Sequence, residues 1–215
     1  MTSHNFFAYP RFRMASIGVI AAAALALSGC NSGSDPNNAG TTSPSASPTN
    51  SSTPSATPTP ASDISPAIDV MQPSLPAAAS NKTRSGLEEF TKYYVELLEY
   101  AYSTGDVDRL KRVNSPACSS CAGPVGDVQN AYTNGGWVVG GDLQVTATAT
   151  SFLASDSGAY FVTMSIKQGR TAYYSGPGVL RKDVPAPAEE ASMQLTASYV
   201  SGAWQVDDFS PPKGL

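Results

Sequence analysis

The spacing of apolar residues changes along the chain. They form one short uninterrupted run before residue 30, are scarce from 31 to 80, and recur periodically from residue 85 onward. From 85 to 133 the period is about 3.6, which predicts α-helices, and from 137 it is about 2, which predicts half-buried strands. We therefore expect helices first and an antiparallel sheet after them.

The first predicted helix is the clearest element. Ser85 and Glu88 have the spacing of a capping box, and Gly105 is expected to end the helix. Asp106 would cap a short second helix, and a third is predicted from about residue 120 to 133, closed by Asn134–Gly136. The residues at helical spacing on the inward face of the first helix are Leu87, Phe90, Tyr94, Leu97, Leu98 and Ala101.

Alternating segments follow the helices. A last strand is predicted from 203 to 209, and its alternation places Asp208 on the same face as Trp204 and Val206. Asp208 is therefore the one carboxylate expected to face inward. The other expected inward residues are Leu143, Val145, Ala147, Ala149, Tyr160, Val162, Met164, Ile166, Met193, Leu195, Ala197 and Tyr199.

The N-terminal apolar run, Ala15–Leu27, follows Arg11 and Arg13 and is too short to cross a bilayer comfortably, as in a signal peptide. It ends in the sequence LSGC, which resembles the bacterial lipobox, whose cysteine receives a diacylglyceryl group. This resemblance implies that residues 1–29 are a signal peptide and that Cys30 carries the lipid. We expect the protein at the extracytoplasmic face of the cell membrane, held by this anchor.

Composition divides the rest of the chain in two. Ser, Thr, Pro and Ala make up 35 of the 50 residues from 31 to 80, a composition that cannot build a core. Residues 30–84 are therefore predicted to be a disordered tether, and residues 85–215 to form one domain. A net charge of −4 without a basic stripe argues against nucleic acid as a partner.

The positions of cysteine and histidine restrict the kinds of catalysis and metal binding that the protein can perform. The single histidine, His4, lies in the predicted signal peptide, which excludes histidine-based catalysis and His-ligated metals from the exported form; we predict no metal and no cofactor. Cys118 and Cys121 are then the only thiols, and an exported protein would most often join them in a disulfide. A redox-active CxxC pair is the alternative.

The helical stretch FTKYYVELLEYAYSTGDVDRLKRV, followed by CSSC and by strands closing on AWQVDDF, resembles a family of uncharacterised actinobacterial lipoproteins. Their domain is similar to the nuclear-transport-factor-two-like, or cystatin-like, cone. This resemblance implies an α+β fold in which N-terminal helices pack on a curved antiparallel sheet. Ketosteroid isomerases share such a cone and use an aspartate with a tyrosine, so Asp208 with Tyr94 or Tyr160 is the candidate enzymatic pair. The inward-facing Tyr199 completes the set of possible pocket residues.

A long connection between strands, residues 175–188, is the other candidate site. It contains proline and glycine and presents Val179, Leu180, Arg181 and Lys182, which we interpret as a docking loop or lid. The leading hypothesis is a non-catalytic, lipid-anchored module that binds an envelope protein or a small apolar ligand. The alternatives are a cone-fold isomerase or hydrolase using Asp208 and a tyrosine, and a redox accessory using Cys118 and Cys121.

The lipobox hypothesis predicts the fate of Cys30. Labelled lipid should be incorporated into the native protein, with processing that globomycin blocks, and Cys30→Ala should abolish both because no thiol remains to accept the diacylglyceryl group. Metabolic labelling followed by electrophoresis measures this. Normal processing of Cys30→Ala would contradict the anchor.

Overall fold

The structure is a computed structural model that describes residues 57–212. The predicted signal peptide, Cys30 and the tether as far as residue 56 lie outside the described residues. The helices are α1 (Arg84–Thr104), α2 (Asp108–Val113) and α3 (Ala122–Ala131), with short 3-10 turns at Ala77–Ser80 and Thr133–Gly135. The strands are β1 (Trp137–Gly140), β2 (Leu143–Ala149), β3 (Tyr160–Gln168), β4 (Thr171–Tyr174), β5 (Leu180–Val184), β6 (Ala191–Val200) and β7 (Ala203–Ser210).

The predicted α+β fold is confirmed, with helices first and antiparallel strands after them. The strands form two sheets, one in the order β1-β4-β5 and one in the order β2-β3-β6-β7. Helix α1 packs against strands of both sheets. The core lies between α1 and the inward face of the larger sheet, where Val162, Met164, Ile166 and Leu195 are buried.

Glycines make the corner between the two sheets. Strand β1 pairs with β4, and the next strand, β2, pairs with β3. The two strand pairs therefore form one ribbon, which bends at residues 140–142 and 169–170. The ladder continues through the bend, since Gly141 N–H donates to the Arg170 carbonyl at 2.9 Å and Gly169 N–H to the Asp142 carbonyl at 2.9 Å. Gly140 and Gly141 adopt φ of 71° and 84°, a backbone region that favours glycine.

Helix α1 begins earlier than the sequence pattern predicted. Its N-cap is Thr83, whose side chain accepts a hydrogen bond from Gly86 N–H at 3.0 Å. The predicted capping box at Ser85 and Glu88 is therefore wrong, because Thr83 keeps the extended backbone of a cap and Ser85 already lies inside the helix. The predicted end is correct, with Gly105 in the left-handed conformation, and all six predicted inward residues are buried.

Two β-bulges change which residues face the core. The register of β2 shifts between Val145 and Ala147, so the predicted inward residues Ala147 and Ala149 are exposed. In β7 the register shifts so that Ala197 pairs with Val206 and Thr196 with Asp208. An extra residue in a bulge reverses the alternation beyond it. Phe209, and not Asp208, therefore continues the buried face of β7.

The connection predicted as a loop from 175 to 188 contains strand β5, which pairs with β4. Residues 180–183 of this strand are all exposed. A strand with little burial on either face shows no apolar alternation, and this is why the sequence pattern did not reveal it.

Residues 57–83, hereafter the arm, lie against the domain although their composition predicts a tether. Trp137 Nε1–H donates to the Ser62 carbonyl at 2.7 Å, and Trp204 Nε1–H donates to the Asn81 carbonyl at 3.1 Å. Ordered structure therefore begins before residue 85. These contacts use backbone carbonyls, which any composition supplies, so the Ser/Pro-rich sequence does not reveal them.

The corner glycine gives a stability prediction. A Cβ at Gly140 would overlap the Arg170 carbonyl oxygen, whereas at Gly202, with φ of 86°, it would meet nothing within 4 Å. Both alanine variants bear the left-handed strain of about 1–2 kcal/mol, and only Gly140→Ala adds the overlap. We expect Gly140→Ala to lower the free energy of unfolding by at least about 1 kcal/mol more than Gly202→Ala in urea denaturation. Equal losses would show that the corner is not constrained.

Candidate functional site

Cys118 and Cys121 form a disulfide in the connection between α2 and α3, with their Cα atoms 5.4 Å apart. Both residues are buried, with exposures of 8% and 2%. The connection also lies along the last strand, since Ser115 N–H donates to the Val206 carbonyl at 2.8 Å. The disulfide therefore shapes a loop that covers the free edge of β7.

Ser120, inside the disulfide loop, attaches that loop to Asp208. Its hydroxyl donates to one carboxylate oxygen of Asp208 at 2.6 Å and accepts the backbone N–H of Phe209 at 2.9 Å. The Ser210 hydroxyl donates to the other oxygen of Asp208 at 2.6 Å. Both oxygens of Asp208, the carboxylate on which the enzyme alternative depends, are therefore engaged by neighbouring hydroxyl groups. We call Cys118, Ser120, Cys121 and Asp208 the disulfide corner.

Tyr94, on helix α1, contacts the disulfide corner. Its hydroxyl lies 3.7 Å from the Cys121 sulfur, and its ring packs edge-on against Phe209 with centroids 5.2 Å apart. Tyr94 is fully buried in α1. The corner is therefore a packed and hydrogen-bonded joint between α1, the disulfide loop and β7.

The other two predicted pocket residues belong to a separate aromatic cluster. Tyr160 and Tyr199 both pack edge-on against Trp204, with ring centroids 5.4 and 4.9 Å away. Phe90 from α1 is 6.5 Å from Trp204, and Phe152 stacks on Tyr160 at 4.9 Å. The four predicted pocket residues therefore do not line one pocket. Asp208 is part of the disulfide corner and Tyr94 contacts it, whereas Tyr160 and Tyr199 belong to this cluster, which the arm covers.

The predicted docking residues lie on the turn into β5 and on β5 itself. Val179 and Leu180 are exposed, by 55% and 49%, and Gly178 N–H donates to the arm at the Asp63 carbonyl, 2.7 Å away. Arg181 borders an open groove of about 390 Å³. The other residues that line this groove are Asn130, Thr133, Asn134 and Ser175.

Lys182 is engaged differently from Arg181. Its ammonium lies 5.5 Å above the Tyr173 ring. Burial raises the pKa of Asp127 on α3, and the charge of Lys182 partly offsets that rise. The side chain of Arg181 takes part in no hydrogen bond or ion pair within residues 57–212. The side chain of Lys182 is thus engaged by the domain, and that of Arg181 is not.

Asn130, Thr133 and Asn134 are groove residues that the sequence pattern does not reveal. It indicates Asn134 only as part of a helix stop, and the φ of 57° at this residue agrees with that role. A groove between the end of a helix and a strand turn joins segments distant in sequence, so periodicity carries no signal for it. Over residues 57–212, no three His, Cys, Asp or Glu side chains are grouped closely enough to hold a metal ion. No helix in that part of the chain is long and apolar enough to cross a membrane.

These features define an α+β domain whose helices pack on two antiparallel sheets and whose N-terminal arm and disulfide loop lie over them. The chain belongs to a family of unknown function, DUF6318, whose model matches residues 56–210. The match begins at the arm and not at residue 85. No curated protein matches the chain.

Solved structures match the chain weakly. Aln2 from a Streptomyces species is 11% identical, with a TM-score of 0.38 over 60% of this chain and 90% of that one. A Xanthomonas campestris protein described as a calcium/calmodulin-dependent protein kinase II association domain is 9% identical, with a TM-score of 0.35 over 68% of this chain and 99% of that one.

The disulfide corner gives a prediction for Ser120. Ser120→Ala removes the donor to Asp208 and the acceptor of Phe209 N–H, so we expect it to lower the free energy of unfolding by about 1–3 kcal/mol and to speed hydrogen exchange of the Phe209 amide. Ser119→Ala, at an exposed position of the same loop, is the control and should change neither. Native Phe209 protection in Ser120→Ala would contradict this assignment.

Proposed function

We propose that the protein is a lipid-anchored, extracytoplasmic and non-catalytic binding module that holds an envelope protein through the β5 edge. The support for the anchor is the LSGC sequence directly after a short apolar run. The observation that carries the binding role is the surface formed by Val179, Leu180 and Arg181 beside the groove. We call these three residues the docking edge.

The position of β5 favours a protein partner. It is an outer strand of its sheet and pairs with β4 along one side. The backbone groups along its other side are those that an extended segment of a partner can pair with. Exposed Val179 and Leu180 add apolar surface at the same place, and Arg181 adds a charge-assisted donor. Apolar surface, a strand edge and an available cation together are typical of a binding surface.

The enzyme alternative has less support. A general base needs a carboxylate that can reach a substrate, and both oxygens of Asp208 accept hydrogen bonds from serine hydroxyls. Tyr94, the tyrosine at the same corner, is fully buried. The redox alternative has less support as well, because thiol exchange requires access to a sulfur and both cysteines are buried.

Site-specific crosslinking tests the docking edge. A photoreactive amino acid at Leu180 should give a discrete adduct with an envelope protein in intact cells, identified by mass spectrometry. The matched control is Val200 on the other sheet, which is 47% exposed against 49% for Leu180. Because Arg181 supplies the charged contact, Arg181→Glu should reduce the Leu180 adduct at least about tenfold.

A second control tests whether any reversal of charge on β5 reduces the adduct, or only a reversal at Arg181. Lys182→Glu also reverses one charge, but Lys182 is held over Tyr173, so we expect a smaller reduction than for Arg181→Glu. Adducts of equal yield from positions 180 and 200, or none from 180, would contradict a partner at this edge.

A further inference from the structure

Both tryptophans of the chain hold the arm. The sequence contains two, Trp137 and Trp204, and the indole N–H of each donates to an arm carbonyl, at Ser62 and Asn81 respectively. Tyr199 donates its hydroxyl to the preceding carbonyl, that of Ser80, at 2.8 Å. Two successive peptide carbonyls are thus recognised by two side chains of the aromatic cluster.

The next residue of the arm places a cation on the same cluster. The Lys82 ammonium lies 5.7 Å from the ring centroid of Tyr160 and 5.9 Å from that of Tyr199. Both distances are within the range of a cation–π interaction. Residues 80–82 therefore present the carbonyl at the end of a 3-10 turn, the next carbonyl and then a cation, which is a pattern that a peptide from another molecule can reproduce.

The arm has fewer buried residues than the domain on which it lies. Within residues 57–83 only Ala79 is buried, and Ser80, Asn81 and Lys82 are all exposed. The residues beneath are large and apolar, with Phe90, Tyr160 and Trp204 buried under the arm or beside it. A segment with few buried apolar contacts opens at lower free energy than the core it covers. Opening would expose an aromatic surface.

We propose that the aromatic cluster is a peptide-binding site which the arm occupies in cis. Its ligand class is a peptide that offers two successive backbone carbonyls, the first at the end of a 3-10 turn, to Tyr199 and Trp204, followed by a lysine or arginine over the tyrosine rings. This inference rests on the proposed function as a binding module and names a second site and its ligand. The arm competes with the ligand, so the apparent affinity of the closed protein is reduced by the fraction of arm that is open.

Gly86 supplies a way to open the arm. A Cβ at this position would overlap the Asn81 carbonyl oxygen and lie 2.8 Å from that of Ala78. Gly86→Ala therefore displaces the arm while alanine favours the helix itself. Gly126→Ala is the matched control, because Gly126 is also helical and a Cβ there meets nothing within 4 Å.

The test uses the full chain in detergent and a synthetic peptide of residues 76–84. The readout is the indole N–H signal of Trp204 in two-dimensional NMR, assigned with Trp137→Phe. We expect Gly86→Ala to shift this signal and the peptide to return it saturably towards its native position. Native protein and Gly126→Ala should bind the peptide at least about tenfold more weakly. A peptide with alanine in place of Lys82 should bind Gly86→Ala about threefold more weakly.

If Gly86→Ala does not fold, Lys82→Ala provides a second opening variant. The Lys82 ammonium of the arm lies over the rings of Tyr160 and Tyr199, so its loss removes two contacts of the arm and leaves every residue of the cluster in place. The proposal would be overturned if the Trp204 signal of a folded opening variant did not change when the peptide was added. Equal peptide binding by the native protein and both glycine variants would also overturn it. None of these variants substitutes a residue of the docking edge, so crosslinking from Leu180 in the native protein reports on the proposed function separately.

Discussion

The burial of α1 is the interaction on which the described domain depends. This helix contacts both sheets, both other helices and the arm. Eleven of its 21 residues are buried, and each large apolar side chain among them contributes about 1.5–3 kcal/mol. The disulfide corner rests on Tyr94, and the aromatic cluster rests on Phe90, so both are organised by residues of this one helix.

The bulge in β7 has the largest consequence for function. Without it, Asp208 would share the buried face of Trp204 and Val206, where a carboxylate would lose its contact with water. With it, Phe209 fills the core and Asp208 accepts hydrogen bonds at the strand edge. One extra residue in a strand thus changes the same aspartate from a candidate catalytic group into part of a structural joint.

Two surfaces of opposite kind result from this architecture. The docking edge is exposed and belongs to the smaller sheet, whereas the aromatic cluster lies at the turn between β6 and β7 and is covered by the chain's own arm. The arm contacts both regions, at Gly178 and at Trp204. It is also the segment through which the chain continues towards Cys30. A pull on the proposed anchor would therefore act first on the arm.

Local patterns in the sequence determined the order of helices and strands, the buried face of α1 and its end at Gly105, because helical and strand periodicity and a C-terminal glycine depend on neighbouring residues only. Tertiary structure decided the cap at Thr83, the two bulges, strand β5, the groove and the docking of the arm. Apart from the cap, whose hydrogen bond joins Thr83 to Gly86, each of these depends on groups that meet across long sequence separations, such as the Asn81 carbonyl and the Trp204 indole. A backbone carbonyl is the same in every residue, and the sequence alone therefore carries no sign of which one will be bound.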